Sequence, residues 1–252
     1  MAACAEAAQE DEEESLWTRR YRFGGLAGGT AHSLCVHEEF GAGLGGTVWA
    51  GSVGLARYLS EQGGAASVAS ELRTRGVSEP LRALELGAGC SALPGLLLAQ
   101  TGAFASVLLA DRDDCVPRLR QNVQSNAHSC GATELHVADV DWGAPEALRA
   151  LPGYPFHLVL AADVAYGMTP EGGPRAARAA EALCCALVAV CSERGVMLLA
   201  QLCRPLREES LFYELLLQSF IVRRVDCAQA QDGDHGLGIF RLDPRAQPWT
   251  NS

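Results

Sequence analysis

The chain has no lysine. All 20 of its basic residues are arginine, so it offers no lysine side chain to modification. Positive charge is scarce as a whole: 30 carboxylates outweigh those arginines, giving a formal net charge of −10. That balance argues against broad contact with a phosphate backbone, and no nucleic-acid partner is expected. Long apolar runs are missing too, none approaching the roughly 20 residues that span a membrane, so no membrane partner is expected. The opening MAACAEAAQEDEEES lacks both a basic n-region and an apolar h-region, which predicts no secretory or mitochondrial leader. Ten cysteines are present, yet none form a C-x-x-C pair, and several lie in apolar runs such as ALCCALVAVC. Zinc sites and disulfide scaffolds both announce themselves by paired spacing, so neither is expected. Reduced, mostly buried thiols fit a cytoplasmic protein, with the nucleus as the second location. The six histidines are scattered, and no metal site is read from them.

What is present is ordinary globular material: 252 residues, 48% hydrophobic and 20% charged. Residues 1–16 carry six carboxylates and almost no large apolar side chains, and read as a disordered acidic tail. Residues 17–252 read as a single domain. Short apolar pieces (YRF, LCVHEEF) and a glycine-rich GAGLGG lead into VWAGSVGLARYL, which spaces Val48, Ser52, Leu55 and Leu59 at helical intervals. EQGGAASVASELRTRGVSE (61–79) is polar and glycine-containing and reads as a surface excursion. From residue 80 strands and helices alternate. RALEL, ASVLLAD, ELHVADV, FHLVLAAD and GVMLLAQLC read as strands, with helices between most of them. The helix at SALPGLLLAQTG is expected to be N-capped by Ser91, to carry Pro94 in its first turn and to end at Gly102. Two more strands, SFIVRRVD and GLGIFRLD, close the chain through the turn-rich QDGDHG. Crossovers of this length require a doubly wound, mostly parallel sheet, here of seven strands in an α/β fold. One of the last two strands must run against the rest.

The first of these strands ends in Glu85-Leu86-Gly87-Ala88-Gly89-Cys90-Ser91-Ala92, a G-x-G-x-x-A at a strand-to-helix turn. Bare backbone there lets a ligand approach a helix N-terminus. Asp111 ends the next strand, where a carboxylate accepts hydrogen bonds from both hydroxyls of a ribose. An adenosine-containing cofactor follows. Nicotinamide sites normally hold an apolar residue two before the first glycine. Here that residue is Glu85, which suits a cofactor with an ammonium group and no phosphate. S-adenosyl-L-methionine has both properties.

Together, ELGAGCSALPG, Asp111-Arg112, NVQSN (122–126), Asp141-Trp142-Gly143, Ala162-Asp163-Val164-Ala165-Tyr166 and the upstream Gly46-Thr47-Val48-Trp49 resemble the seven-β-strand lysine methyltransferases. These are class I S-adenosylmethionine-dependent enzymes grouped as methyltransferase family 16. The resemblance runs from about residue 40 to the final strand. It implies that Trp49 packs at the cofactor's methionine end and that Gly87, Ala88 and Gly89 form the backbone cradle. By the same resemblance Asp111 takes the ribose, Trp142 lies at the adenine and Ala162 contacts the cofactor. Asp163 and Tyr166 are implied to form a D-x-x-Y element beside the target amine. Ser91 departs from the family, which often has glycine there.

Asp163 and Tyr166 also follow an apolar strand, at the sheet end where such folds bind ligands. A lysine ammonium, with a pKa near 10.4, is neutral in only about one molecule in a few thousand at pH 7. A carboxylate and a phenol can orient the amine, and partial desolvation lowers its pKa. The reading is therefore methyl transfer to a protein lysine by a monomeric enzyme whose partner is a protein substrate. An acidic surface suits a basic substrate segment. A protein arginine or a small amine as acceptor, and an inactive module of the same fold, remain open from sequence. A nicotinamide oxidoreductase is disfavoured by Glu85.

Overall fold

The computed structural model describes residues 16–24, 30–41, 43–61, 64–168, 172–202, 210–225 and 236–245. The expected acidic tail lies outside them except for Leu16, which opens a strand, and so does nearly all of QDGDHG.

The strand β6 (Phe156–Ala162) is buried at every position, as a run FHLVLAA covered on both faces must be. It pairs in parallel with β3 (Arg82–Leu86) on one side and β7 (Cys191–Leu202) on the other. Beyond β3 come β4 (Ser106–Asp111) and β5 (Glu134–Asp139), also parallel. Beyond β7 comes β9 (Leu237–Pro244), antiparallel to it and to the edge strand β8 (Phe220–Val225). The seven-stranded order is β5-β4-β3-β6-β7-β9-β8. The direction of winding therefore reverses between β3 and β6, and the cleft that takes ligands in such sheets opens above their carboxyl ends. β9 is the reversed strand that the closing hairpin requires.

Alternation along the strands sorts their side chains to two helical layers. Ala83, Leu109, Leu158, Leu160 and Leu198 pack under α1 (Ala50–Ser60), α2 (Gly64–Thr74) and α3 (Leu93–Thr101), with Leu119 of α4 (Val116–Asn126). Leu84, Leu86, Val159, Met197 and Leu199 face the other way. There they meet Leu148 of α5 (Pro145–Arg149), Leu183 and Leu187 of α6 (Gly173–Val190), and Phe212 and Leu216 of α7 (Ser210–Ser219).

Three expectations are corrected. The stretch read as a surface excursion contains α2, which buries Ala65, Val68, Ala69 and Leu72 at helical spacing. Gly64 and two alanines make up most of its buried stripe, which weakens the periodic signal. Glu71 on its other side and Arg75 just past its end lock it to β9 through Arg241 (2.5 Å) and Asp243 (2.7 Å). Ser91 does not cap α3; Ala92 stands at the N-cap in a left-handed conformation (φ 43°) without a side-chain cap. The strand read as starting at Gly195 begins at Cys191. Pro94 in the first turn of α3 and the left-handed Gly102 at its end stand as read.

Residues read only as short apolar pieces form a separate hairpin, β1 (Leu16–Gly24) with β2 (Ala31–Glu39). Phe23, Leu34 and Val36 seal it onto the core. Two asparagines one helical turn apart on α4 hold its far side. Asn126 accepts from the Cys35 N–H (2.9 Å) and donates to the Cys35 carbonyl (2.7 Å). Asn122 does the same for His37 (2.7 and 3.0 Å) and also donates to the Cys90 carbonyl (2.7 Å).

Candidate active site

At the end of β3 the chain bends over β4, with the Gly87 and Ala88 N–H groups both donating to the Ala110 carbonyl (2.9 and 3.1 Å). Gly87 has φ +73°. A Cβ there would fall 2.6 Å from Val164 Cγ1 and 3.1 Å from Trp142 Cζ2. The bare backbone, the Trp142 ring edge and Val164 thus share one space above the sheet. Gly89, at φ +60°, donates its N–H to Asp111 Oδ2 (2.6 Å), and the other oxygen takes the Arg112 N–H (2.7 Å). Each Asp111 oxygen keeps a second lone pair, as a ribose site needs. Gly87→Ala is expected to weaken binding of S-adenosylhomocysteine by about a hundredfold or more, since strain and a side-chain clash fall on one atom. Titration calorimetry checks this, with the melting temperature as the control for folding.

A second glycine loop lies on the first. The Cys90 N–H donates to the Gly45 carbonyl (2.8 Å), and Gly45 packs directly on Cys115 Sγ, leaving no room for a Cβ. Trp49, the N-cap residue of α1, donates its indole N–H to the Leu44 carbonyl (2.7 Å). The buried Glu38 of β2 accepts the Val48 N–H (2.9 Å). The loop that ends at Trp49 is therefore tied to the cradle at one point and to the hairpin at another.

Ala162, Asp163 and Tyr166 leave the carboxyl end of β6. Asp163 has φ +51°, a left-handed conformation that aspartate tolerates better than most residues. Its Oδ2 accepts the Gly51 N–H at the start of α1 (2.6 Å), and its Oδ1 accepts the Leu202 N–H (2.7 Å). A Cβ on Gly51 would lie 2.6 Å from that carboxylate. The Gln201 side-chain amide brackets the backbone of Ala165, donating to its carbonyl (2.9 Å) and accepting its N–H (3.3 Å). Tyr166 is 42% exposed at the rim.

One site residue needs correction. Glu85 does not face the cleft. It is 1% exposed, and its Oε2 accepts the Gly95 N–H in the first turn of α3 (2.7 Å). It thereby supplies from below the acceptor that Ser91 does not. Its carboxyl points to the core because alternation along β3 sends Ala83 and Glu85 to the same layer. Burial, with Asp111 nearby, pushes its pKa up to about 8 against the opposing Gly95 hydrogen bond. Between the ordinary 4.5 and about 8 the folded chain holds a proton that the unfolded chain has released. Stability is therefore expected to fall as pH rises across that window, by at most roughly 1.4 kcal/mol per pH unit. Glu85→Gln keeps the acceptor, and its melting temperature, followed from pH 5 to 8, should show a flatter decline than the wild type.

Sequence reasoning missed Gln201, Gly51 and Glu38. Gln201 left a trace, as a polar residue inside GVMLLAQL. Glu38 and Gly51 left none, because their partners are distant in sequence. Burial raises the thiol pKa of Cys90 and Cys115 to about 12, so neither is a nucleophile beside the cradle. Among the described residues no group of three or more histidine, cysteine, aspartate or glutamate side chains could hold a metal ion. No described helix is long and apolar enough to cross a membrane.

A seven-stranded, mostly parallel sheet in the order β5-β4-β3-β6-β7-β9-β8, with β9 reversed and helices on both faces, is the Rossmann-like fold of class I methyltransferases. The chain belongs to the lysine methyltransferase family, whose model matches residues 30–218. Its cofactor is S-adenosyl-L-methionine, and the residues present fit it: the turn at Gly87 and Gly89 is bare backbone at positive φ, and Asp111 beside it is a carboxylate that can accept from ribose hydroxyls. Solved structures of similar fold include TrmN from Thermus thermophilus, at 20% identity and a TM-score of 0.48, covering 70% of this chain and 47% of that one. Precorrin-6y C5,15-methyltransferase from Geobacter metallireducens matches at 18% and 0.45, covering 75% and 91%. The mitomycin 7-O-methyltransferase MmcR matches at 15% and 0.44, covering 72% and 55%. The chain spans about half the length of TrmN and MmcR.

Proposed function

We propose that the chain methylates the ε-amine of a lysine in a protein substrate. The carrying observation is the segment 163–166: it leaves β6 at the switch point, is clamped at Asp163 and Ala165, and presents an exposed tyrosine at the rim. Membership of the lysine methyltransferase family supports the same acceptor. Bound S-adenosylmethionine supplies an electrophilic methyl group on a sulfonium. In this reading Gly87, Ala88 and Gly89 bring backbone close to the cofactor, Asp111 accepts from the ribose hydroxyls, Trp142 flanks the adenine, and Trp49 and Ala162 line the methionine end.

Tyr166 receives the amine. Its phenol oxygen accepts one N–H and so aims the nitrogen lone pair. Asp163 acts one step back. Its two oxygens accept backbone N–H groups, which shapes the loop that carries Tyr166, and their remaining lone pairs lend negative potential that attracts the incoming ammonium. That ammonium must release its proton to solvent before it can react, which costs little once the channel is partly desolvated. The same reading takes residues 17–252 as one catalytic unit, a monomer of the cytoplasm or nucleus. All seven described cysteines are free, as in a reducing compartment.

The test starts with titration calorimetry against S-adenosylhomocysteine, with NAD(H) as control, and continues with a labelled-methyl screen of lysate. Label is expected on protein and should vanish when lysate lysines are first blocked by reductive alkylation. Because the enzyme contains no lysine, none of the lysine-borne label can be its own. Label that survives blocking would replace lysine with arginine or another acceptor.

A further inference from the structure

The hairpin presents an edge that the fold leaves open. Among the described residues β1 pairs on one side only, with β2, in a register unbroken from Leu16↔Glu39 to Gly24↔Ala31. Nine residues without a proline or bulge make a long, regular row of backbone donors and acceptors. Proteins commonly shorten, bulge or interrupt such edges, because they accept further strands. This edge also carries charge. Of the acidic groups on the hairpin, Glu38 is buried and paired with Arg19 (3.3 Å), and Glu39 is paired with Arg118 (2.6 Å). Arg20 and Arg22 are exposed, share the face turned away from the core, and form no ion pair among the described residues. The face is therefore locally positive on a chain whose net charge is −10. Arg20 also borders a cavity of about 450 Å³, lined besides by His32, Ser33, Gln100, Ser125 and His128.

We propose that the β1 edge docks an extended, acidic segment of the protein substrate by strand addition, with alternate carboxylates directed to Arg20 and Arg22. Main-chain hydrogen bonds supply the attachment and the arginines select its charge. The inference rests on the proposed protein substrate, and it replaces the basic segment that overall charge favoured. A second copy of this chain is a poor occupant, since Arg20 and Arg22 would meet their own like charges. The β8 edge is shorter and its Arg223 is shared with Asp243 (3.9 Å). β1 has a further advantage of position. Glu38, opposite Trp17 in the register, holds the Val48 N–H, and the loop between them reaches the cradle through Gly45 and Cys90. A segment seated along β1 thus ends beside the loop that covers the cofactor turn.

The test uses the full chain and a fluorescein-labelled peptide of alternating threonine and glutamate, followed by anisotropy at low salt. Binding is expected. Exchanging glutamate for lysine in the peptide should abolish it, and Arg20→Glu with Arg22→Glu should weaken it by roughly tenfold or more. Arg20→Lys with Arg22→Lys should keep it within roughly threefold. Methylating alternate backbone nitrogens of the peptide should also abolish it, which ionic adhesion alone does not predict. None of these changes should alter S-adenosylhomocysteine affinity. Absence of binding, or binding indifferent to backbone methylation, overturns the proposal. Binding that emerges only after removal of residues 1–14 overturns it in favour of the chain's own acidic segment. Because anisotropy needs no turnover, failure here is distinct from failure of the lysine reading, which the blocked-lysate screen decides.

Discussion

Asp163→Ala is expected to abolish turnover and to melt the protein at a temperature lower by about 10 °C. The substitution strips acceptors from two backbone N–H groups at once, those of Gly51 and Leu202. Leaving such donors unpaired costs on the order of 1–3 kcal/mol each, discounted where water can reach them. About 3 kcal/mol in a chain of this length corresponds to roughly 6–12 °C. Alanine also resists the left-handed backbone at this position. Asp163→Asn separates the roles. It tolerates that conformation and keeps one acceptor, so it should recover much of the stability while turnover stays low. Scanning calorimetry and a methylation assay on both variants check this. An Asp163→Ala protein that melts like the wild type would mean that the carboxylate does not hold α1 to the sheet.

Asn122→Ala is expected to destabilise the chain by about 3–5 kcal/mol, as large losses from buried polar networks are. Asn122 is fully buried, and its removal leaves the His37 N–H, the His37 carbonyl and the Cys90 carbonyl without this partner. Cys90 belongs to the turn that follows the cradle and His37 to the hairpin, so cofactor affinity should fall together with stability. Urea unfolding and S-adenosylhomocysteine titration measure the two. Ser125→Ala, three residues on, is the control: it removes only a half-buried contact to the His37 ring (3.2 Å) and should change stability by less than about 1 kcal/mol.

How much of this was legible in the sequence follows from the range of each interaction. FHLVLAA announces a central strand because every one of its residues is apolar, and a strand buried on both faces requires that. Gly102 announces a helix end because a left-handed C-cap favours glycine. Gly87, Gly89 and Asp111 were legible as a unit because strand, turn, helix and next strand are contiguous in the chain. The α2 helix was not, since a buried stripe of small residues looks much like a loop. Glu85 was legible as unusual and misread in direction. Its neighbourhood in sequence is the cradle, whereas its partner in space is the Gly95 N–H of α3.

By itself the sequence determined the α/β class, the reversal of one closing strand and the glycine turn between the first sheet strand and its helix. Each depends on period, turn chemistry or spacing within a few dozen residues. Tertiary structure alone decided that Asp163 accepts the Gly51 and Leu202 N–H groups, that Gln201 brackets Ala165, and that β1, with its exposed arginines, has one strand partner among the described residues. Those outcomes depend on which backbone donors and acceptors come to lie side by side when distant segments pack, and the chain's local pattern carries no record of that.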